Sequence, residues 1–306
     1  MGNEDMKLLI TGGDGFLGKE LAASHRDGIV VIPLGHKEYD ITDQKSIYSG
    51  LMKYQPDVVI NCAVIVSIER CQDDPTLCFG VNRDGVQNIL EVIQEIGRKT
   101  VFVQISSSEV FGRVKEGEYL VEGYTEDDEP KPTSNYQKSK AEAEKILQDF
   151  VVQNPGVLMG WYIARAGWLY GGGQQTFVEQ FLGKLRRSET FEVVSNQWRS
   201  PTWTRHFVKV LLDILEAEYP SGIYHITNEV ERGEASTLDV IEVLARYLGK
   251  TSARSLLQFV TRDDIFKTPR APSNVILNTK LPKLPFWRDA LGEFLQEYHP
   301  LDELKL

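Results

Sequence analysis

Tyr136 and Lys140 stand four apart in the run Tyr136-Gln137-Lys138-Ser139-Lys140. A helix there puts both on one face. A phenol is a weak acid–base group at its usual pKa of about 10. A neighbouring ammonium favours the phenolate and lowers that value. Bringing it down by about 3 units takes roughly 4 kcal/mol of differential stabilisation. Upstream, Val101–Ile105 runs into Ser106-Ser107-Ser108-Glu109. A hydroxyl at the carboxyl end of a central strand lies where ligands bind in open α/β sheets. There it can hydrogen-bond a carbonyl under reduction. Ser107, Tyr136 and Lys140 form the candidate catalytic set. Tyr/Lys pairs at this spacing also occur by chance on surface helices, so the set needs a nucleotide site in front of it.

Such a site is written near the start. Thr11-Gly12-Gly13-Asp14-Gly15-Phe16-Leu17-Gly18 follows one apolar run and opens a helical one. Gly12 permits the tight turn, Gly15 lets a pyrophosphate approach the backbone, and Gly18 lets helix and strand pack closely. The helix N-terminus offers N–H groups and partial positive charge to phosphate. Gly12, Gly15, Phe16, Leu17 and Gly18 are therefore candidate dinucleotide contacts. An oxidised nicotinamide ring would add a second positive charge beside Tyr136. NAD readers place a carboxylate at the end of the second strand. Leu34-Gly35-His36-Lys37 has none there. His36 and Lys37 are either partners for an extra phosphate or ordinary solvated loop residues. NADPH is the expected cofactor, with NADH as the alternative.

These residues need a frame. Strands are expected at Lys7–Thr11, Ile29–Leu34, Asp57–Cys62 and Thr100–Ser106, with one more over 161–164. Helices are expected at Phe16–His25, Thr42–Tyr54 and within Pro75–Arg98. The β-α-β order implies an α/β fold with a Rossmann-type, doubly wound parallel sheet. Gly112–Thr133 reads as a long polar surface loop. Ser134 and Gln137 have capping-box spacing at the start of the next helix. After Arg165 the pattern is less regular, with helices at Gln174–Arg187, Thr204–Ala217, Ser236–Leu248 and Pro285–Tyr298. Residues 1–165 are expected to form the dinucleotide-binding domain, with part of 203–227 returning to it. Residues 166–306 would form mainly a smaller substrate domain.

The 306 residues carry 34 Lys and Arg against 44 Asp and Glu, a net charge of −10. Such an acidic chain is a poor partner for nucleic acid or an anionic membrane. A dianionic small substrate needs a local basic pocket, for which Arg165, Arg199, Arg205 and Arg270 are candidates. Cys62, Cys71 and Cys78 form neither a disulfide framework nor a zinc motif. No metal is expected, and a reducing cytoplasmic setting fits. The opening Met1–Lys7 is acidic and polar, unlike a secretory leader. No apolar stretch is long enough to span a bilayer.

Together the glycine loop and Tyr-x-x-x-Lys resemble the extended short-chain dehydrogenase/reductase superfamily. More specific segments are Tyr39-Asp40-Ile41-Thr42-Asp43, Pro56-Asp57-Val58-Val59-Ile60-Asn61-Cys62-Ala63, Val81-Asn82 and Tyr124-Thr125-Glu126. Others are Arg165-Ala166-Gly167-Trp168-Leu169-Tyr170-Gly171, Ser200-Pro201-Thr202 and Pro285-Phe286-Trp287. They are similar to the dTDP-4-dehydrorhamnose reductase family over nearly the whole chain. The resemblance implies reduction at carbon four of a nucleotide-linked 4-keto-6-deoxyhexose. Tyr136 would donate the proton. Lys140 would tune it and hold the nicotinamide ribose, while Ser107 would polarise the ketone. Asp40, Ile41, Cys62, Ala63, Val64 and Asn82 would join the cofactor set. Ser108, Glu109, Trp168, Arg199 and Thr202 would face the substrate, although Trp168 reads equally well as a core aromatic. A homodimer is consistent with the family.

One departure matters. The family's Ser-Thr-Asp after the fourth strand is here Ser106-Ser107-Ser108-Glu109. A glutamate at this point resembles sugar-nucleotide dehydratases, epimerases and decarboxylases that recycle NAD. A third alternative is a non-catalytic subunit resembling the regulatory β subunit of methionine adenosyltransferase.

Overall fold

The structure is a computed structural model that describes residues 5–115, 120, 122–172, 175–231, 234–250 and 252–301. The chain divides into two compact units. The first contains residues up to Val110, Pro132–Arg165 and Leu211–Tyr224. The second contains Phe111–Lys131, Ala166–Val210 and His225 onward.

Alternating elements build the first unit: β1 (Met6–Thr11), α1 (Phe16–Ala23), β2 (Ile29–Leu34), α2 (Gln44–Tyr54) and β3 (Val58–Asn61). Next come α3 (Ile68–Asp73), α4 (Pro75–Phe79), a π-helical turn over Gly80–Asp84, and α5 (Gly85–Ile96). The unit continues through β4 (Thr100–Ser107), α6 (Asn135–Gln153) and β5 (Leu158–Ala166). The β1–β2, β1–β3 and β3–β4 pairings are parallel. This is the doubly wound arrangement that the β-α-β order implies. Leu9, Val59, Phe102 and Ile163 are fully buried in the sheet. Their strands read as near-continuous apolar runs because both faces are covered. Side chains of Ile89, Leu90, Ile93 and Leu147 join this core. The Ser134–Gln137 capping box forms at the head of α6.

In the second unit are β6 (Trp168–Tyr170), α7 (Phe177–Arg186), β7 (Phe191–Val194) and β8 (Pro201–Trp203). Then follow α8 (Thr204–Glu216), β9 (Gly222–Ile226), α9 (Thr237–Tyr247), β10 (Leu257–Val260), α10 (Arg262–Ile265) and α11 (Trp287–Tyr298). The end of α8 and most of β9 belong to the first unit, whose six-stranded sheet has the order β2-β1-β3-β4-β5-β9. Two-stranded parallel pairs β6/β8 and β7/β10 serve the second unit. Its core gathers Tyr170, Leu182, Trp203, Leu244, Trp287 and Phe294. Gln174, the expected first residue of α7, lies outside the described residues.

The described part of 112–133 is not the surface loop that its polarity implied. Tyr124 and the preceding Phe111 are fully buried and stacked, with centroids 4.3 Å apart. Glu126 is buried and accepts from the His225 N–H at 3.1 Å and the Thr279 hydroxyl at 2.6 Å. A few aromatic anchors and a satisfied carboxylate override the average polarity of the segment. Helix α3 was not expected. Its signal is short, a Ser67 cap accepting from the Arg70 N–H at 3.1 Å.

Candidate active site

The glycine loop leaves β1 and caps α1, and its tightness is visible in what a side chain would meet. Gly12 has φ 61°, a left-handed conformation suited to glycine. A Cβ at Gly18 would lie 2.4 Å from the Gly12 carbonyl oxygen. One at Gly13 would lie 2.7 Å from the Leu34 nitrogen, so this glycine is required too, although its place in the motif did not single it out. Gly15 is different. It is exposed, and a Cβ there would approach only the loop's own Gly12 oxygen, at 3.1 Å. No side chain caps the N-terminus of α1. Open space at Gly15 and uncapped backbone donors fit a dinucleotide pyrophosphate. Phe16 is half-buried, and Leu17 and Gly18 are buried.

The end of β2 carries a correction. A carboxylate does reach it, from three residues on: Glu38 Oε2 accepts from the Gly35 N–H at 2.9 Å. Asp14 also closes on Gly35, since a Cβ there would meet the Asp14 carboxyl carbon at 3.1 Å. The side chain folds back across a turn, so reading the strand end alone missed it. His36 and Lys37 are exposed, and His36 Nδ1 lies 3.8 Å from Asp40. Asp40 accepts from the Thr42 N–H and hydroxyl at 2.9 and 2.8 Å. Burial works against its charge, but the Thr42 bonds and His36 hold its carboxyl below the usual range. Ile41 is buried and packs where a Cβ on Gly85 would stand, 2.5 Å from its Cδ1.

Beyond β3, the chain is tied down by buried amides. The Thr11 hydroxyl donates to Asn61 at 2.6 Å and accepts from the Ala63 N–H at 3.1 Å. The Asn61 amide donates to Gln104 at 2.8 Å. Asn82, on the π-helical turn, accepts from the Ile65 N–H at 2.8 Å and donates to the Ile65 carbonyl and the Ser139 hydroxyl, both at 3.1 Å. Its amide thus braces Ile65, just after Cys62, Ala63 and Val64, which are half-buried. Burial pushes the Cys62 thiol up to about 12.

Ser107, Tyr136 and Lys140 come together. Ser107 stands beside the Tyr136 phenol and favours its ionised form, and Lys140 Nζ donates to the Ile105 carbonyl at 2.7 Å. Tyr136 is not shifted as the Tyr/Lys spacing alone suggests. Burial first, then the charge of Glu109, push its phenol up, against the influence of Ser107. Burial also pushes the Lys140 ammonium down to about 8, opposed by Glu144, Cys62 and Cys78. With both groups out of water, desolvation is the largest influence on each. The phenol is therefore held protonated, which suits a proton donor. Glu109 Oε2 accepts from the Gln137 amide at 2.8 Å, and Ser108 is buried.

The second unit holds the other candidates. Trp168 is half-buried, stacks on Phe177 with centroids 3.4 Å apart, and has the Arg199 guanidinium 5.4 Å from its ring centre. Thr202 is fully buried; its hydroxyl donates to the Ser200 carbonyl at 3.0 Å and lies 3.0 Å from the Thr227 hydroxyl. The expected basic pocket is corrected for two members. Arg165 is buried in the first unit on Glu144. Arg205 is bidentate on Glu297. Spacing along the chain could not show these partners. Among the described residues no cluster of His, Cys, Asp or Glu could hold a metal, and no helix is long and apolar enough to cross a membrane.

A parallel sheet, a glycine turn at its first crossover and a Ser/Tyr/Lys set at its carboxyl edge define the extended short-chain dehydrogenase/reductase class. Within it, the chain belongs to the family described as the RmlD substrate binding domain, whose model matches residues 6–299. A spore coat polysaccharide biosynthesis protein of Bacillus subtilis is 30% identical over 95% of this chain and 97% of its own. A dTDP-4-dehydrorhamnose reductase of Streptomyces griseus is 32% identical over 72% and 70%. The solved dTDP-4-dehydrorhamnose reductase of Bacillus anthracis, in complex with NADP, superposes with a TM-score of 0.81 at 23% identity, covering 96% of this chain and 99% of that one.

Proposed function

We propose that the protein reduces the 4-keto group of a nucleotide-linked 4-keto-6-deoxy sugar, with NADPH as preferred cofactor and NADH as a weaker one. The observation that carries this reading is the buried Tyr136 phenol beside Ser107, with Lys140 one turn further along the same helix. NADPH, when bound, supplies the hydride. The Gly12–Gly18 loop and the α1 N-terminus hold its pyrophosphate, with His36 and Lys37 offered to the extra phosphate. Asp40, Ile41, Cys62, Ala63 and Val64 line its adenosine side, and Asn82 braces the neighbouring Ile65. Ser107 donates to the carbonyl oxygen and Tyr136 delivers the proton as that oxygen gains charge, while the ammonium of Lys140 steadies the phenolate left behind. Ser108, Glu109, Trp168, Arg199 and Thr202 belong to the sugar-nucleotide side of this reading. The first unit serves the cofactor and the second mainly the substrate.

The names of the relatives support the substrate class, and the NADP complex of a structural neighbour supports the cofactor. Three free thiols suit the reducing cytoplasm. Assembly as a homodimer belongs to the same proposal and is read by light scattering. The test is a panel of nucleotide-linked 4-keto-6-deoxyhexoses, with loss of reduced-nicotinamide absorbance as the readout. Stoichiometric oxidation with at least one member is expected. No oxidation of NADPH or NADH across the panel overturns the reading.

A further inference from the structure

Glu144 is a buried carboxylate that the proposed chemistry does not use. It lies on α6, one turn beyond Lys140 and two beyond Tyr136. Its Oε1 accepts from the Ser106 hydroxyl at 2.5 Å and Arg165 Nε at 3.0 Å, and its Oε2 accepts from Arg165 Nη2 at 2.7 Å. The two side chains are 3% and 1% exposed. Ile105 and Ser106, adjacent on β4, are thus clamped by Lys140 and Glu144 to successive turns of one helix. The next strand residue is Ser107, which stands beside the Tyr136 phenol.

Holding a helix to a sheet does not require charge. Each buried ion costs several kcal/mol in lost hydration, and apolar replacements of buried pairs are often neutral or stabilising. An apolar pair would give no negative field one turn from an ammonium hidden from water. We propose that Glu144, anchored by Arg165 and Ser106, is a positioning residue that fixes Lys140 on the Ile105 carbonyl and supplies the counter-charge to its buried ammonium. The inference rests on the catalytic reading of Tyr136 and Lys140. The groups facing Lys140 agree with it. Glu144 on its own helix favours the ammonium, as do the thiols of Cys62 after β3 and Cys78 on α4. Arg165 from β5 has its charge engaged by Glu144. Glu109 acts on Tyr136.

The test is the pH profile of kcat for the wild type, Glu144→Gln, Glu144→Asp and the double variant Glu144→Gln/Arg165→Met. In Glu144→Gln the alkaline limb moves acid by about one unit or more, an about tenfold loss of turnover above it, with a smaller change in cofactor KM. Glu144→Asp keeps the limb near wild type. The double variant also removes the Arg165 charge that Glu144→Gln would strand, so it serves if the single variant fails to fold; its limb stays acid of wild type. Folded variants whose limbs coincide with wild type overturn the proposal and leave the pair a structural clamp. Lys140→Met with a wild-type limb removes the catalytic reading itself, and the inference with it.

Discussion

At the head of α1, Gly15 is exposed and no side chain caps the helix, so backbone donors face outward. Around Tyr136 the reverse holds: Ser107, Gln137, Lys140 and Glu144 each have protein partners, and most are buried. Both regions lie in the first unit. A binding surface has to leave its hydrogen-bonding groups open to the ligand. A proton-transfer site has to fix its groups beforehand, in low dielectric, so that little reorganises during reaction. Substitutions should therefore separate the regions, one by rate and the other by affinity.

The largest effect is expected from Tyr136→Phe, which should lower kcat by about 10²–10⁴-fold, the range for a lost acid–base group. Cofactor Kd, read by fluorescence titration, should barely change; a large rise in Kd with kcat intact would break the contrast. Gly18→Ala comes next. Its Cβ would press on the Gly12 carbonyl at 2.4 Å, an overpacking that costs about 1–3 kcal/mol. Cofactor Kd should rise about tenfold or more and Tm should fall, while kcat at saturating cofactor changes little.

The pH dependence has two signs. Lys140 titrates near 8 in the folded chain against an ordinary 10.5. Above about 8 it loses its proton, and kcat should fall up to about tenfold per unit as the ammonium is lost. Across the same window the unfolded chain binds more protons, so this group's contribution to stability rises with pH. Activity falling while denaturant stability holds or improves between pH 8 and 10 is the signature; both falling together would point to unfolding. The smallest effect is Glu38→Gln at Gly35. Neutralising that carboxylate should raise the NADPH/NADH ratio of kcat/KM by about 3–10-fold, roughly 1 kcal/mol. An unchanged ratio would separate Glu38 from cofactor choice.

The glycine loop and the Tyr136 helix were legible because their signals are local. Three glycines, a capping box and a four-residue spacing need no partner from elsewhere in the chain. Glu38 was lost because its side chain folds back over a turn. Arg165 looked like a substrate residue because its partner Glu144 is 21 positions away. Thr202 and Arg205 have their partners 25 and 92 positions away, at Thr227 and Glu297. No periodicity reports such pairings. Tyr124 and Glu126 were misjudged with their loop because averaging over a segment hides its few anchors.

Asn82 can brace Ile65 because it stands on a π-helical turn, one residue longer than an α turn. Each residue of an α-helix advances by about 100°. Deleting one residue from Gly80–Asp84 would let α4 and α5 run on as a single regular helix, better bonded along its own axis. The same shortening would swing the amide about a quarter-turn away from the strand exit that it supports. The chain here keeps a helical irregularity whose repair would unfasten the floor on which the adenosine is proposed to rest.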